Sequence, residues 1–310
     1  MPTLLLTHSA CLLHDTGQGH PERADRLRAI DDALAGDAFA RLKREQAPRA
    51  DLATIDLVHP HGYAEAIHAA IPERGLAWLD PDTVVSPHSF EAALRAAGAA
   101  IYAVDQVVTG AAQNAFCSVR PPGHHAELIR PMGFCLFNNV AIAAFHARAA
   151  HGAERVAVVD FDVHHGNGTQ AAFGSDKNLF YGSTHQMPLY PGTGAASETG
   201  VGNIVNVPLN PGDGGAQFRA AFRSRILPAL DAFAPDMLLV SAGFDAHRDD
   251  PLAQLDLVGA DFAWVTQELL DMAAKHCGGR LVSTLEGGYD LDALGRSAAA
   301  HVQTLMEAAS

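Results

Sequence analysis

The sequence predicts an α/β protein with a mainly parallel sheet enclosed between layers of helix. Three observations carry this. Short apolar runs, several of them β-branched and apolar on both faces, recur along the chain and each leads into a turn, as strands covered on both sides do. Between them lie stretches with apolar residues at three- and four-residue steps, the period of an amphipathic helix. No internal repeat, low-complexity tract or linker composition divides the 310 residues, so one domain over residues 1–310 is expected.

The expected strands, in order, are Leu4–Leu6, Ala115–Val119, Val156–Val163, Leu179–Tyr181, Ile204–Val207, Met237–Val240 and Leu281–Leu285. The first helix is expected over Phe90 to Val108, where Leu94, Ala97, Ile101 and Val104 form one stripe. Asn138 is placed to cap a second helix running towards His151. Ala216–Phe233, Asp261–Lys275 and Leu291–Met306 continue the alternation. The segment Gly182–Asn203, rich in Gly, Ser, Thr and Pro, reads as a long loop forming the wall of a site.

Composition narrows the function. With 21 Lys+Arg against 35 Asp+Glu the net charge is −14, which argues against nucleic acid as a partner. At 48% hydrophobic and 18% charged residues the chain is not a disordered one. Cys11, Cys117, Cys135 and Cys277 lie far apart with no C-x-x-C pair, so neither a zinc-thiolate site nor a disulfide framework is expected, and a reducing cytoplasm fits. The start, Met1-Pro2-Thr3-Leu4-Leu5-Leu6, reads as a strand and not a signal peptide. No membrane span is expected, and a homo-oligomer is compatible with the sequence.

The chemistry concentrates at strand ends. In Val156-Ala-Val-Val-Asp-Phe-Asp-Val-His-His-Gly-Asn167 a period of two puts Asp160, Asp162 and His164 on one face. Buried carboxylates are costly unless compensated, and a divalent cation compensates them. A second buried run, Met237 to Asp245, ends in another acid. Asp162, His164 and Asp245 therefore form a candidate three-ligand metal site with open positions, the layout of catalytic zinc, although iron, manganese or cobalt would accept the same donors. Arg120-Pro-Pro-Gly-His-His125 follows another strand and offers two imidazoles for proton transfer. Glu286-Gly-Gly-Tyr289 closes a further one, with a phenol able to donate to a developing oxyanion.

Together these blocks resemble the zinc-dependent histone deacetylase family, with its bacterial relatives and the acetylpolyamine amidohydrolases. The resemblance rests on R-P-P-G-H-H-A (120–126), G-F-C-L-F-N-N (133–139), V-D-F-D-V-H-H-G-N-G-T-Q (159–170), Y-P-G-T-G (190–194), N-V-P-L (206–209), S-A-G-F-D-A-H (241–247), D-P-L (250–252) and L-E-G-G-Y (285–289), in the family order. It implies a three-layer sandwich like that of arginase relatives, with about eight strands. It also implies one zinc on Asp162, His164 and Asp245, because Gly166 and Gly243 stand where a binuclear site would carry acids. His124 and His125 match a tandem proton-transfer pair, backed by Asp160 and, as in the class II branch, by Asn167. Tyr289 matches the group that polarises the carbonyl.

The reaction implied is removal of acetyl or other acyl groups from N-acyl-lysine or similar N-acyl amines by metal-activated water. Gly133, Phe134 and Tyr190 match the walls of a narrow tunnel. Leu252 takes the rim position where a polyamine-selective relative has Glu. The resemblance also implies a potassium site at Asp160, Asp162, His164, Ser183 and Thr184. Residues His14 to Arg26 are expected to form a rim loop, with Arg23 or Arg26 near an acetate exit. The alternatives are an acetylpolyamine amidohydrolase and a non-catalytic binder of acylated amines.

Overall fold

The computed structural model describes residues 1–309. Among these residues ten strands form: β1 (Thr3–Thr7), β2 (Lys43–Gln46), β3 (Ala77–Trp78), β4 (Val84–Val85), β5 (Asn114–Cys117), β6 (Val156–Asp160), β7 (Leu179–Gln186), β8 (Ile204–Leu209), β9 (Met237–Ala242) and β10 (Leu281–Leu285). All but β3 and β4 build one eight-stranded sheet in the order β2-β1-β5-β10-β9-β6-β7-β8, and every pairing in it is parallel. β3 and β4 make a small antiparallel hairpin.

Helices α1 (Asp25–Ala33), α2 (Leu52–Ile55), α3 (Tyr63–Ala69), α4 (Ser89–Val108), α5 (Asn139–His151), α6 (Asn167–Phe173), α7 (Gly215–Ala221), α8 (Leu227–Phe233), α9 (Gly259–Cys277) and α10 (Leu291–Ala308) cover the sheet. α4 packs against α5, whereas α10 packs between α1 and α9. The central strands β5, β6, β9 and β10 are buried along their whole length, as a sheet covered on both faces requires. Asn138 caps α5 through a hydrogen bond from Ala141 N–H at 3.0 Å.

Several expectations are corrected. β6 stops at Asp160 and β9 at Ala242, so Asp162, His164 and Asp245 lie in the loops beyond the strands and not on a pleated face. The helix expected over Ala216–Phe233 is interrupted by a π-turn at Phe222–Ile226. Pro228 follows within it, and a proline has no N–H for the carbonyl four residues earlier. The segment from Gly182 is not all loop: its first five residues extend β7 to Gln186. Nor is His14 to Arg26 all loop, because Asp25 and Arg26 open α1.

The sheet order positions the chemistry. β5, β10, β9 and β6 are consecutive neighbours, so the loops leaving their carboxyl ends converge on one spot. This is where parallel α/β sheets place their ligands.

Candidate metal and active site

The loops after β6 and β9 bring Asp162, His164 and Asp245 together, with one donor atom of each within 4.8 Å of the others. His164 Nδ1 lies 3.2 Å from Asp162 Oδ1 and 3.1 Å from Asp245 Oδ2. Both carboxylates are 0% exposed. Burial, followed by the Asp162 charge, pushes the Asp245 carboxyl up to about 7. Two buried acids facing one imidazole are short of positive charge, and a divalent cation is the group that supplies it. Two glycines let the acids lie directly against the backbone. A Cβ on Gly243 would run into the Asp162 carboxylate, and one on Gly287 into that of Asp245. The backbone N–H of Gly287 donates to Asp162 Oδ2 at 2.7 Å, and that of Val163 to Asp245 Oδ1 at 2.9 Å. The donor set fits a small divalent ion that prefers mixed nitrogen and oxygen ligands.

The loop after β5 delivers the histidine pair. The rings of His124 and His125 sit 4.0 Å apart between centroids and are tilted by 46°. His124 Nδ1 is 3.0 Å from Asp160 Oδ2. Asp160 also accepts from the Tyr181 hydroxyl at 2.9 Å and from Asp162 N–H at 3.1 Å. Burial disfavours a charged His124, yet the carboxylates of Asp160, Asp162 and Glu286 hold its pKa up to about 10. His125 behaves oppositely. Burial, and then the charges of His124 and His164, press it well below the ordinary histidine range.

The partner of His125 explains its tautomer. Its Nδ1 is 2.8 Å from Asn167 Oδ1, while Asn167 Nδ2 donates to Glu127 Oε1 at 2.8 Å. A carboxylate only accepts, so the Asn167 amide is fixed with its oxygen towards His125. His125 must then donate from Nδ1, which leaves Nε2 as the free acceptor.

Tyr289 reaches the same place from the loop after β10. Its backbone N–H donates to Asp250 Oδ2 at 2.7 Å, and Arg26 lies over its ring at 5.0 Å. Burial, and then the Asp245 charge, raise its phenol well above the usual range, so it stays protonated and able to donate.

A cavity of ≈ 240 Å³ opens above these groups. Its walls include His125, His164 and Tyr289 together with Gly133, Phe134, Tyr190 and Leu252, so four expected wall residues and three chemical groups share one space. Gly133 has a φ of 57°, and a Cβ there would collide with the His125 ring. The turn is held by Asp82 Oδ1 and Thr83 Oγ1, which accept from Gly133 N–H at 3.1 Å and Phe134 N–H at 3.2 Å.

The sequence did not single out Asp82, Leu189, Glu127 or Glu286. Asp82 and Leu189 complete the cavity wall. Glu286 accepts from Gly123 N–H at 2.7 Å, His124 N–H at 3.1 Å and Ser241 Oγ at 3.0 Å, tying the ends of β9 and β10 to the histidine loop. It stood inside the quoted L-E-G-G-Y block, and a buried acid at a strand end was its only signal. Ser183 pairs with Asp160 across β7 and β6, but its hydroxyl is engaged by His185 at 2.8 Å. Thr184 Oγ1 is buried without a hydrogen-bond partner. Arg23 is exposed and pairs with Asp25 at 3.5 Å, away from the cavity, whereas Arg26 is fully buried.

Comparison with known proteins places the chain in a family. The model of the histone deacetylase domain matches residues 20–305. Histone deacetylase 14, chloroplastic, of Arabidopsis thaliana is 39% identical over 324 residues, covering 98% of this chain and 76% of the relative. A histone deacetylase-like amidohydrolase of Pseudomonas aeruginosa is 42% identical over 277 residues, covering 87% and 73%. The crystal structure of the HDA15 HD domain superposes with a TM-score of 0.94 at 39% identity, covering 99% of this chain and 90% of that one. Among the described residues no helix is long and apolar enough to cross a membrane. The chain belongs to the histone deacetylase family and is a hydrolytic deacetylase.

Proposed function

We propose that the protein is a zinc-dependent amidohydrolase that removes acetyl or other acyl groups from N-acyl-lysine or a similar N-acyl amine. The observation that carries this reading is the meeting of Asp162, His164 and Asp245 beside a histidine pair and a phenol at one narrow cavity. When bound by those three residues, zinc would supply a Lewis acid for the acyl carbonyl and a lowered pKa for water.

The chain's own groups do the rest. His125, donating from Nδ1 to Asn167, presents Nε2 to take a proton from water. His124, backed by the Asp160 carboxylate, is the better holder of a proton and serves to protonate the leaving amine. Tyr289 donates its phenolic hydrogen to the developing oxyanion. Phe134, Tyr190 and Gly133 confine an alkyl stem, and Leu252 at the wall offers no charge to a distal ammonium. A potassium ion held by Asp160, Asp162, His164, Ser183 and Thr184 belongs to the same reading; the unpartnered Thr184 hydroxyl supports it.

A panel of acetyl-lysine peptides and acetylspermidine, run with metal analysis, tests the reading. Turnover of the peptides with one tightly held zinc lost in Asp245→Ala is expected. A large preference for acetylspermidine would move the assignment to acetylpolyamine hydrolysis, and absence of turnover by the zinc-loaded chain would leave a binder.

A further inference from the structure

A second cluster of metal-binding donors lies at the opposite end of the sheet's strands. Asp105 sits in the last turns of α4, and His146 and His151 in the second half of α5. Both helices end just before strands β5 and β6 begin, so this cluster borders the amino ends of the strands, opposite the active-site cavity. His146 Nε2 is 2.7 Å from Asp105 Oδ1, and His151 Nε2 is 2.6 Å from the same oxygen. The two rings cross at 83° with centroids 5.5 Å apart. Side-chain exposures of 37%, 16% and 20% leave the donors reachable from solvent yet held by packing.

From this convergence we propose that Asp105, His146 and His151 form a second divalent transition-metal site, occupied by Zn2+, that clips the end of α4 to the end of α5. Two imidazole nitrogens and one carboxylate oxygen are a borderline donor set, suited to zinc and poorly suited to magnesium. Ligand atoms around a tetrahedral zinc stand about 3.3 Å apart, given bonds of ~2.0–2.1 Å. The three donors already lie within 4.8 Å of one another, and the two short contacts need only relax outward by about 0.6–0.7 Å to admit the ion. Each ring then carries its proton on Nδ1 and offers the Nε2 lone pair, and water fills the open position. His151 also borders a surface hollow of ≈ 350 Å³ with Glu154 and Asp236. An ion that binds the folded chain and joins two helices raises its stability.

Equilibrium dialysis of the untagged full chain against micromolar Zn2+ tests this. Two ions per chain are expected, falling to one in the His146→Gln/His151→Gln variant, to one in Asp245→Ala, and to none when the three substitutions are combined. Asp105→Asn should weaken the second ion at least tenfold. Zn2+, but not Mg2+, should raise the melting temperature of Asp245→Ala, and the combined variant should show no such rise. Coincident melting of the variants in chelator verifies that they fold. One ion in the parent chain, or two retained in the double-glutamine variant, would overturn the second site. Two ions retained in Asp245→Ala would instead count against the strand-end ligand set.

Discussion

Two buried ionic centres lie within reach of Tyr289, and they differ in how their charge is balanced. Around Glu22, the guanidinium groups of Arg26 and Arg120 close every gap. Arg120 Nη2 donates to Glu22 Oε2 at 2.7 Å and its Nη1 to the carbonyl of Cys11 at 2.9 Å, while Arg26 Nη1 donates to Glu22 Oε1 at 3.1 Å and its Nε to the Gly288 carbonyl at 2.6 Å. Burial pushes the Glu22 carboxyl upward, but the Arg120 and Arg26 charges overcome this and hold it at about 2. Among the described residues neither Asp162 nor Asp245 makes an ion pair with an arginine or lysine; both face His164, and Gly243 and Gly287 let their carboxylates press against the backbone. A centre that satisfies its own charges holds structure together. The other leaves two buried carboxylates to a single imidazole, the charge balance that the proposed zinc would complete.

Breaking the closed centre should have the largest effect. Glu22→Ala strands two buried arginines, and losing one partner of a buried pair costs about 3–5 kcal/mol. Denaturant unfolding should show that loss with or without Zn2+; an unchanged midpoint would mean the arginines find other partners. Tyr289→Phe attacks the open centre from the substrate side. Turnover should fall by about 10²–10³, the usual cost of an oxyanion donor, with zinc content and melting temperature retained. Near-normal turnover would remove the phenol from the reaction.

The two centres were unequally legible in the sequence. Asp162, His164 and Asp245 stand in apolar runs where a charge is conspicuous, so their meeting at one place could be read. Glu22 could not: it lies in a polar stretch, and its partner Arg120 is 98 residues away. The fold shows the same contrast. Seven strands were visible as apolar runs, but edge strand β2, Lys43-Arg-Glu-Gln46, is charged and half-exposed, as edge strands that avoid aggregation are. Helix α6, Asn167–Phe173, begins inside the catalytic block, where Gly166 and Gly168 mask the helical period. Sheet order was not readable at all, because the adjacency of β5, β10, β9 and β6 arises from crossovers and not from local pattern.

A third buried group, His301, allows the stability of the closed interior to be followed by pH. Its Nδ1 lies 2.6 Å from Thr266 Oγ1, whose own hydrogen goes to the Phe262 carbonyl, and its Nε2 is 2.8 Å from Ser283 Oγ. Neutral His301 therefore donates to Thr266 and accepts from Ser283, and burial lowers its pKa to about 3. Between the ordinary value of 6.5 and about 3 the unfolded chain binds a proton that the folded chain refuses. The contribution is full above pH 6.5 and declines as pH falls, by about 1.4 kcal/mol per unit. Unfolding from pH 7.5 to pH 5 should show this slope in the parent and a shallower one in His301→Gln; parallel slopes would show that His301 is protonated in the fold.

The smallest expected effect discriminates between the two histidines. Glu127 touches neither water nor substrate in the proposed reaction. It acts by fixing Asn167, and Asn167 fixes the proton of His125. In Glu127→Ala the Asn167 amide can turn its Nδ2 towards His125, which then has to accept at Nδ1 and carry its proton on Nε2, the wrong place for a base. Loss of one such hydrogen bond is worth about 1–2 kcal/mol, so kcat should fall roughly tenfold with KM little changed. Because the defect is one of proton position, the pH profile should move as well. Glu127→Gln presents an amide oxygen to Asn167 Nδ2 and should restore most of the rate. A purely structural Glu127 would instead lower stability in both variants and leave the profile of kcat against pH where it was.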